Sequence, residues 1–277
     1  MRFITFVLLF AVSPLAHSIE RVISLAPSST ELVYAAGLGD KLVAVSEYSD
    51  YPEEAQLLEK VANFDSVNIE RIIALNPDLI VAWRSGGSIK SLNQLKGLGF
   101  SIYYSDTTYV ADIADRIEEL SQYADKPDVG RTNAKAFREE LKRLQDQYSS
   151  GAPISYFYQL SSKPIYTIAN NHWPSEVFSL CGGINIFEQS PTPYPQVGLE
   201  QVIVKAPQVM FTSPHTVQNT ELWTPWQKQI PAVSNKFIWS LNADWLNRPT
   251  PRSLKAIEQA CQHFEIARKT YSTNQIK

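Results

Sequence analysis

Several features that would assign this chain to a special class of protein are scarce. Its 277 residues include only 2 cysteines and 11 glycines, and 25 lysines and arginines nearly balance 28 aspartates and glutamates. Two cysteines are too few for a disulfide-framework protein, and so little glycine excludes a collagen-like chain. Without a basic excess to neutralise phosphates, nucleic acid is not expected among the partners. The length and the 44% of hydrophobic residues suit a globular protein of two lobes or one large domain.

Sequence motifs of catalysis and metal binding are also missing. The chain has no GxSxG nucleophile elbow, no phosphate-binding GxxxxGKS/T loop, no GxGxxG and no HExxH. Its 4 histidines are isolated from one another, so their spacing assembles no metal site. We therefore expect no enzyme, no metal and no cofactor. A periplasmic enzyme or an adhesion module of the cell surface is the alternative from another functional class.

The first 18 residues have the pattern of a secretory signal peptide. Arg2 precedes the apolar run FITFVLLFAV, and Ala16-His17-Ser18 provides the small residues of a cleavage site. The apolar run is shorter than the roughly 20 residues that span a bilayer, so a membrane anchor is the less favoured alternative. We expect cleavage near Ser18 and a mature protein outside the cytoplasm.

The two cysteines, Cys181 and Cys261, lie 80 residues apart. An oxidising compartment favours one structural disulfide between them. The alternative, a redox pair or a metal-binding pair, would call for a CxxC spacing or nearby histidines, and the sequence has neither. A disulfide would tie the final helix to the segment before Gly182-Gly183.

Short strand-like and helix-like segments alternate along the mature chain. RVISLA, LVAVS, DLIVAW and SIYYSD are rich in β-branched and aromatic residues, and helix-like segments such as TELVYAAG and NIERIIAL separate them. This alternation is typical of a mostly parallel α/β sheet. Ser28, Ser29 and Thr30 are N-cap candidates for the first helix, and Gly37 is its expected C-terminal glycine.

A long polar helix is predicted between two such α/β regions. After a break at 125–128, apolar residues recur every three or four positions and form one narrow stripe, which suits a helix that connects two lobes. The stripe consists of Ala134, Phe137, Leu141, Leu144 and Tyr148. The predicted fold class is therefore α/β, with two similar α/β lobes joined by a single long helix. The predicted boundaries are 1–18 for the signal peptide, 19–125 for the N-terminal lobe, 126–149 for the connecting helix and 150–277 for the C-terminal lobe.

An internal repeat supports two related lobes. NIERIIALNPDLIVAW at 68–83 aligns without gaps to GLEQVIVKAPQVMFTS at 198–213, an offset of 130 (198 − 68). Glu70 thereby matches Glu200, and an aromatic residue stands six positions before each glutamate. The alternative is that any helix followed by proline and a strand resembles another such unit.

Five aromatic residues fall in predicted strand-to-helix loops: Tyr48, Phe64, Trp83, Tyr194 and Trp245. Parallel sheets bind ligands at the carboxyl ends of their strands, and in a two-lobed protein these ends can face each other. Flat rings on both sides would hold a large, planar, partly apolar ligand. The alternative is that the rings fold back into the core.

Longer segments of the chain resemble a known family. They are RVISLAPSSTELVYAAG, SEYSDYP, NIERIIALNPDLIVAWRSGG, CGGINIF, PYPQV and ADWLNRPTPR. In this order they resemble the periplasmic cobalamin-binding proteins of bacterial vitamin B12 ABC importers, and EYSDYP, AWRSGG and DWLNR are the most specific parts. The resemblance covers nearly the whole mature chain. It implies two lobes on a rigid helix, a periplasmic location, and cobalamin bound in the cleft as a transported ligand rather than a cofactor.

The resemblance also implies a set of ligand-binding residues. In this sequence they are Tyr48, Asp244, Trp245, Leu246, Asn247 and Arg248, with Trp83, Pro27 and Ser28 beside them. Phe64 and Tyr194 stand where the family often has tryptophan, and they keep the aromatic character. An ion pair between Asp244 and Arg248 is the alternative role for those two residues. The segment 163–173, which includes Tyr166, matches the family poorly.

Two further pairs of residues match the family. Glu70 and Glu200 correspond to the glutamates that such receptors present to arginines of a dimeric inner-membrane permease. One carboxylate per lobe, related by the repeat, suits a two-fold symmetric partner. Cys181 and Cys261 match the family's disulfide pair.

The nearest alternative is a receptor of the same fold for haem or a ferric siderophore. Such a receptor would hold iron through a tyrosine or a histidine, and Tyr48, Tyr194 and His172 are the candidates. The EYSDYP and DWLNR segments favour the corrinoid.

Overall fold

The computed structural model describes residues 19–275 except 86, 171–172, 215–216 and 218–219. The predicted signal peptide and His172 lie outside the described residues. Of the helices in the described ranges, none combines the length and the apolar character needed to span a bilayer.

The regular elements follow the alternation seen in the sequence. The strands are β1 (Val22–Ser24), β2 (Leu42–Ser46), β3 (Glu59–Ala62), β4 (Leu79–Ala82), β5 (Ile102–Tyr104), β6 (Ile154–Gln159), β7 (Ser161–Ser162), β8 (Ile165–Tyr166), β9 (Gly183–Asn185), β10 (Val209–Thr212) and β11 (Ile238–Ser240). The helices are α1 (Pro27–Ala35), α2 (Ile69–Leu75), α3 (Ile89–Gly97), α4 (Asp112–Ser121), α5 (Pro127–Tyr148), α6 (Ser175–Ser179), α7 (Leu199–Lys205), α8 (Pro231–Ser234), α9 (Ala243–Leu246) and α10 (Ser253–Gln275).

Two parallel sheets form the two lobes. The N-terminal sheet has the strand order β3-β2-β1-β4-β5, and the C-terminal sheet has the order β11-β10-β6-β9. Every neighbouring pair in both sheets is parallel. Strands such as β4 and β10 are buried along their whole length, as expected where helices cover both faces of a parallel sheet. The predicted α/β class is confirmed.

The internal repeat is reproduced in the structure without a shift. Moving the bounds of α2 and β4 by 130 gives the bounds of α7 and β10 (69 + 130 = 199, 79 + 130 = 209). Between helix and strand, both lobes place a non-glycine residue in the left-handed region, Asn76 and Ala206, each with φ 44°. From the opposite edge, the strand order β9-β6-β10-β11 corresponds to β2-β1-β4-β5. Within the described residues, only β3 has no counterpart in the C-terminal sheet.

The helix α5 connects the lobes and shares their core. All five residues of its predicted stripe are buried. The helix packs along α4 and also contacts α1 and α10. One continuous apolar cluster includes Val22 of the first sheet, Phe137 of α5 and Tyr156 of the second sheet. The prediction of two lobes on one long helix is therefore confirmed, whereas the boundaries at 125 and 150 stay a prediction.

The two cysteines form a disulfide within the C-terminal lobe. Cys181, just after α6, is bonded to Cys261 of α10, and both residues are fully buried. The bridge ties the last helix to the segment before Gly182, as predicted.

The start of α1 differs from the prediction. Ala26 is the N-cap residue without a side-chain cap, Pro27 is the first helical residue, and residues 28–30 lie inside the first turn. The N-cap prediction for Ser28, Ser29 and Thr30 is therefore wrong. The physical reason is that proline, with its fixed φ and missing N–H, suits the first position of a helix. Gly37 follows the helix with φ 84°, as predicted.

Candidate functional site

A pocket of about 170 Å³ opens at the carboxyl ends of β1 to β4. Three of the predicted aromatic residues, Tyr48, Phe64 and Trp83, line it together with Pro27. Tyr48 is 75% exposed and Phe64 is 86% exposed, so these two rings are not folded into the core. Trp83 is half-buried. The N-terminal sheet thus brings loops from three different strands around one apolar hollow.

Buried hydroxyl groups hold the turn that presents Tyr48. Tyr48 has φ 60°, in the left-handed region that side chains disfavour. The hydroxyl of the next residue, Ser49, shares hydrogen bonds with the hydroxyls of Thr30 at 2.9 Å and Ser46 at 3.0 Å. This network fixes the backbone after β2 and leaves the Tyr48 ring in solvent.

A carboxylate holds the loop that follows Trp83. Asp106 accepts hydrogen bonds from the backbone N–H of Arg84 at 3.1 Å and of Ser85 at 3.0 Å. The guanidinium of Arg84 lies 3.9 Å from the ring centre of Tyr104. The backbone that follows Trp83 is therefore anchored to the chain after β5.

Trp173 links the two aromatic loops of the C-terminal lobe. Its indole N–H donates to the carbonyl of Leu246 in α9 at 2.8 Å, and its own carbonyl accepts from the Tyr194 hydroxyl at 3.1 Å. Tyr194 remains 51% exposed, and Trp245 is half-buried. Burial raises the pKa of the Tyr194 phenol, so the hydroxyl is a neutral donor at pH 7. Trp173 was not predicted as a site residue because it lies in the segment 163–173, which matches the family poorly.

Other residues of the segment 163–173 pair with the loop that contains Tyr194. Thr167 donates its N–H to the carbonyl of Pro195 at 3.1 Å, and Ala169 donates to Pro193 at 2.9 Å. The two stretches run antiparallel, and Tyr166 beside them is 37% exposed. This pairing gives the Tyr194 loop a strand-like support.

Arg248 joins the two halves of the cleft. Its guanidinium donates to Asp50 at 2.6 Å and to Asp244 at 3.0 Å. Asp50 belongs to the same loop as Tyr48, so this contact brings the Tyr48 loop and the Trp245 helix together. The ion pair between Asp244 and Arg248 exists, but within a network that crosses the lobes. Burial tends to raise the pKa of Asp50, but the hydrogen bond and charge of Arg248 outweigh it, so the pKa lies below its ordinary value.

A more deeply buried ion pair also crosses the lobes. Arg252, just before α10, donates from two nitrogens to the carboxylate of Glu31 in α1, at 2.8 and 2.5 Å. Glu31 is only 3% exposed, and Arg252 also lies over the ring of Tyr51 at 4.3 Å. Sequence analysis did not single out Glu31 or Arg252, since no local spacing relates residues 221 positions apart.

Some of the predicted ligand-binding positions offer little side-chain surface. Leu246 has 0% exposure and Ser28 has 6%. Asn247 is exposed, but its side-chain oxygen accepts a hydrogen bond from Tyr158 at 3.2 Å. Leu246 and Ser28 are therefore buried beneath the cleft surface, whereas the rings of Tyr48, Phe64 and Tyr194 are exposed.

Glu70 and Glu200 occupy the same exposed position, the second residue of α2 and of α7. Within the described residues neither carboxylate has an ion-pair partner. Arg71, beside Glu70, is held by Glu59 through hydrogen bonds of 2.6 and 2.8 Å. Gln201, beside Glu200, accepts the backbone N–H of Gly198 at 2.7 Å. Arg71 and Gln201 thus bind other groups, and both glutamate carboxylates are exposed to solvent.

No cluster of histidine, cysteine, aspartate and glutamate side chains in the described ranges could hold a metal ion. His263 stacks on Trp239 with 4.5 Å between ring centres, and burial lowers its pKa, so the ring is neutral. The described arrangement is therefore a cleft of exposed rings crossed by ion pairs.

Two lobes on a rigid connecting helix, with rings at the carboxyl ends of both sheets, define a class of binding protein. A model of the periplasmic binding protein family matches residues 22–244. The chain belongs to this family.

Individual relatives give a more specific comparison than the family model. The "Vitamin B12-binding protein" of Vibrio vulnificus (strain YJ016) is 57% identical over 257 residues, covering 93% of this chain and 94% of the relative. The crystal structure of the periplasmic vitamin B12 binding protein BtuF of Vibrio cholerae matches with a TM-score of 0.86 and 59% identity, covering 91% of this chain and 98% of that one. The periplasmic heme-binding protein RhuT from Roseiflexus sp. RS-1 matches with a TM-score of 0.78, covering 90% of this chain and 99% of that one, but at 22% identity. That last likeness shows the fold alone.

Proposed function

We propose that the mature protein is the periplasmic receptor of a vitamin B12 ABC importer, which captures cobalamin between its lobes and delivers it to an inner-membrane permease. The observation that supports this most strongly is the 59% identity to a vitamin B12 binding protein, sustained over 91% of the chain. The cleft geometry agrees with such a ligand. No covalent chemistry is involved.

The exposed rings suit the large, partly apolar corrin system. Tyr48, Phe64 and Trp83 would contact it from the N-terminal lobe, and Tyr194 and Trp245 from the C-terminal lobe. Aromatic side chains provide broad apolar contact area with little loss of rotamer freedom. Because hydrogen bonds fix the loops in advance, little ordering free energy remains to be lost on binding.

Polar groups at the cleft would orient the ligand. Asp244, Asn247 and Arg248 are grouped at the end of α9, and Arg248 is already positioned by Asp50. Amide groups of the corrin periphery could exchange hydrogen bonds with these side chains. Pro27 would contribute apolar contact at the edge of the same hollow.

Glu70 and Glu200 would dock the loaded receptor on a dimeric permease. One exposed carboxylate per lobe, related by the repeat, suits arginines related by a two-fold axis. The receptor would work in the periplasm after removal of residues 1–18 near Ser18.

The ligand is tested by calorimetric titration of the purified mature protein with cyanocobalamin and, separately, with haem. We expect one-to-one binding of cyanocobalamin, weakened strongly in the Tyr48→Ala, Trp245→Ala variant and unchanged in Tyr123→Ala, whose ring is 41% exposed outside the cleft. Binding of haem alone would favour the haem or siderophore receptor instead, and binding of neither would reject the proposed receptor function.

The docking role is tested by charge reversal at Glu70→Lys and Glu200→Lys together. Vitamin B12 uptake should be abolished, because two attractive contacts become repulsive, while cyanocobalamin binding is retained. The control reverses Glu139 and Asp146 on α5, which are 67% and 66% exposed and lie outside the proposed surface. Because each forms an exposed ion pair with a lysine, thermal melting checks that the control variant is folded. Intact uptake in the first variant would reject the docking role of the two glutamates.

A further inference from the structure

The helix faces that expose the two glutamates also expose aliphatic side chains. On a helix, the residues three and four positions after a glutamate are its neighbours on the surface. These neighbours are Ile73 and Ala74 after Glu70, and Ile203 and Val204 after Glu200. Ile73 is 46% exposed and Val204 is 84% exposed. The same sequence of an acid followed by two aliphatic residues therefore occurs in both lobes at the same register.

Both of these faces lie beside the mouth of the cleft. The N–H of Asn68, which precedes α2, donates to the carbonyl of Val61 near the end of β3, at 2.8 Å. The first turn of α2 is therefore at the carboxyl edge of the sheet, where Phe64 is exposed. In the C-terminal lobe Tyr194 likewise precedes Glu200 by six residues. A partner that covers both helix faces would lie across the mouth of the cleft.

A single exposed aliphatic residue on a surface is ordinary. Val204, however, has no packing role that explains an aliphatic side chain, since it is 84% exposed. Ile203 beside it packs against the apolar cluster that includes Val202 and Met210. Val204 follows Glu200 by four residues, about 6 Å along the helix axis, and the Glu200 carboxylate has no ion-pair partner in the described residues. Acidic and apolar groups side by side complement a basic side chain set in an apolar surface.

We propose that Ile73 and Val204 are apolar anchors of the permease-docking surface, a role that rests on the proposed function. The permease that fits is a two-fold partner which presents, at each contact, a basic side chain beside an apolar hollow. The basic group pairs with the glutamate, and the aliphatic group fills the hollow and excludes water from the pair. Removing water strengthens the ion pair, because the local dielectric constant falls. Val204 is the stronger anchor, since it is 84% exposed against 46% for Ile73 and so has more apolar surface for a partner to cover. The anchors differ by one position in the repeat, because Ala74 corresponds to Val204 and Ile203 packs against the core.

The test compares Val204→Asn with Ile266→Asn, a matched change at a 49% exposed position of α10. Each cyanocobalamin-loaded variant is titrated against the cognate permease complex in nanodiscs, at low and at high salt, alongside Glu200→Gln. We expect Val204→Asn to weaken docking about tenfold, as loss of one buried valine predicts, and to leave docking at least as sensitive to salt as in the wild type, because both charges remain and water reaches them. Glu200→Gln should weaken docking and reduce its salt dependence, because it removes a charge.

Equal docking by Val204→Asn and Ile266→Asn would overturn the proposal, even if Glu200→Gln docks weakly. Cyanocobalamin titration and thermal melting of each variant establish that it is folded. If Val204→Asn fails that check, Val204→Ala replaces it, and a loss of docking smaller than tenfold but above that of Ile266→Ala is expected. A wild-type protein that binds neither cyanocobalamin nor the permease would instead reject the proposed function, and the anchors with it.

Discussion

Among single residues, Tyr156 combines favourable and unfavourable contacts within one side chain. Its ring stacks on Phe178 with 4.6 Å between centres, at the centre of the C-terminal core. Its hydroxyl is fully buried and has no hydrogen-bond partner among the described residues. Burial raises the pKa of the phenol far above its ordinary value. The ring therefore stabilises the lobe, whereas the hydroxyl opposes folding.

Tyr156→Phe is expected to raise the free energy of unfolding by about 1 kcal/mol, because it removes a buried polar group that lacks a partner. Urea denaturation measures the change. Tyr158→Phe serves as the comparison, since the Tyr158 hydroxyl donates to Asn247 at 3.2 Å and its loss should lower stability. A destabilised Tyr156→Phe variant would contradict the assignment of an unsatisfied hydroxyl.

Asp50 makes the contact between the lobes dependent on pH. Because the pKa of Asp50 is depressed in the folded protein, its ion pair with Arg248 contributes its full stabilisation above the ordinary aspartate pKa of about 4. This stabilisation is lost as the pH falls from there through the depressed pKa. The melting temperature of the wild type should exceed that of Asp50→Asn by a constant amount from about pH 6 to 8. At about two units or more above the ordinary aspartate pKa, the Asp50 carboxyl is ionised in both the folded and the unfolded protein. Below about pH 4 the two melting curves should converge. Thermal melting across this pH series checks both parts.

A matched variant identifies the source of that pH dependence. Asp65→Asn changes an exposed aspartate with no ion pair in the described residues, and its melting temperature should follow that of the wild type at every pH. If the melting temperature of Asp65→Asn instead lay below that of the wild type at neutral pH and met it at low pH, the effect would come from net charge rather than from the Asp50–Arg248 pair.

At the scale of elements, the matched ends of α2 and α7 show how one geometry accepts different residues. Asn76 and Ala206 both have φ 44° and donate their N–H groups to carbonyls of the last helical turn. Asparagine tolerates the left-handed region better than alanine, because its short polar side chain bonds locally. The same turn is therefore more strained in the C-terminal lobe.

Ala206→Gly is expected to stabilise the protein by about 1 kcal/mol, because glycine adopts positive φ without a steric penalty. Asn76→Gly, the same change at the equivalent position, should have a smaller effect. Chemical denaturation of the two variants measures the difference directly. An equal or larger gain at Asn76 would contradict the argument from backbone strain.

On the scale of the whole molecule, the lobes are held by a shared core and by ion pairs across the cleft. Arg252 and Glu31 are both nearly buried, and Arg248 pairs with Asp50 beside them. On another part of the boundary, the backbone N–H of Val110 donates to Glu176 at 2.5 Å, and burial raises the pKa of that carboxyl. These contacts oppose wide separation of the lobes.

Arg252→Leu is expected to lower the free energy of unfolding by about 3 kcal/mol, because it removes both hydrogen bonds to the buried Glu31 carboxylate and leaves it only the longer 3.6 Å contact with Arg248. The double change Glu31→Leu, Arg252→Leu should recover most of that loss. Arg131→Leu, which removes an exposed ion pair with Asp128, is the control and should cost less than about 1 kcal/mol. Chemical denaturation of all three variants is decisive: a double variant as unstable as Arg252→Leu would mean that shape rather than charge matters here.

Within single elements, the sequence determined much of this protein because the deciding interactions are local. The apolar stripe of α5, the left-handed Gly37 and the repeat at an offset of 130 were all confirmed. Helix and strand periodicity depends on neighbouring residues, so it can be seen in the sequence. The placement of aromatic residues in loops after strands followed from the same alternation.

Tertiary structure determined the features that depend on contacts between distant parts of the chain. β3 begins with the exposed Glu59 and Lys60 and has little apolar character, so only its pairing with β2 makes it a strand. The ion pair of Arg248 with Asp50 joins residues 198 positions apart, and no sequence spacing encodes such a contact. Burial of Leu246 and exposure of Phe64 likewise depend on what packs against them. Secondary structure was determined by local sequence, whereas the residues that line the cleft were determined by which distant segments the two sheets bring together.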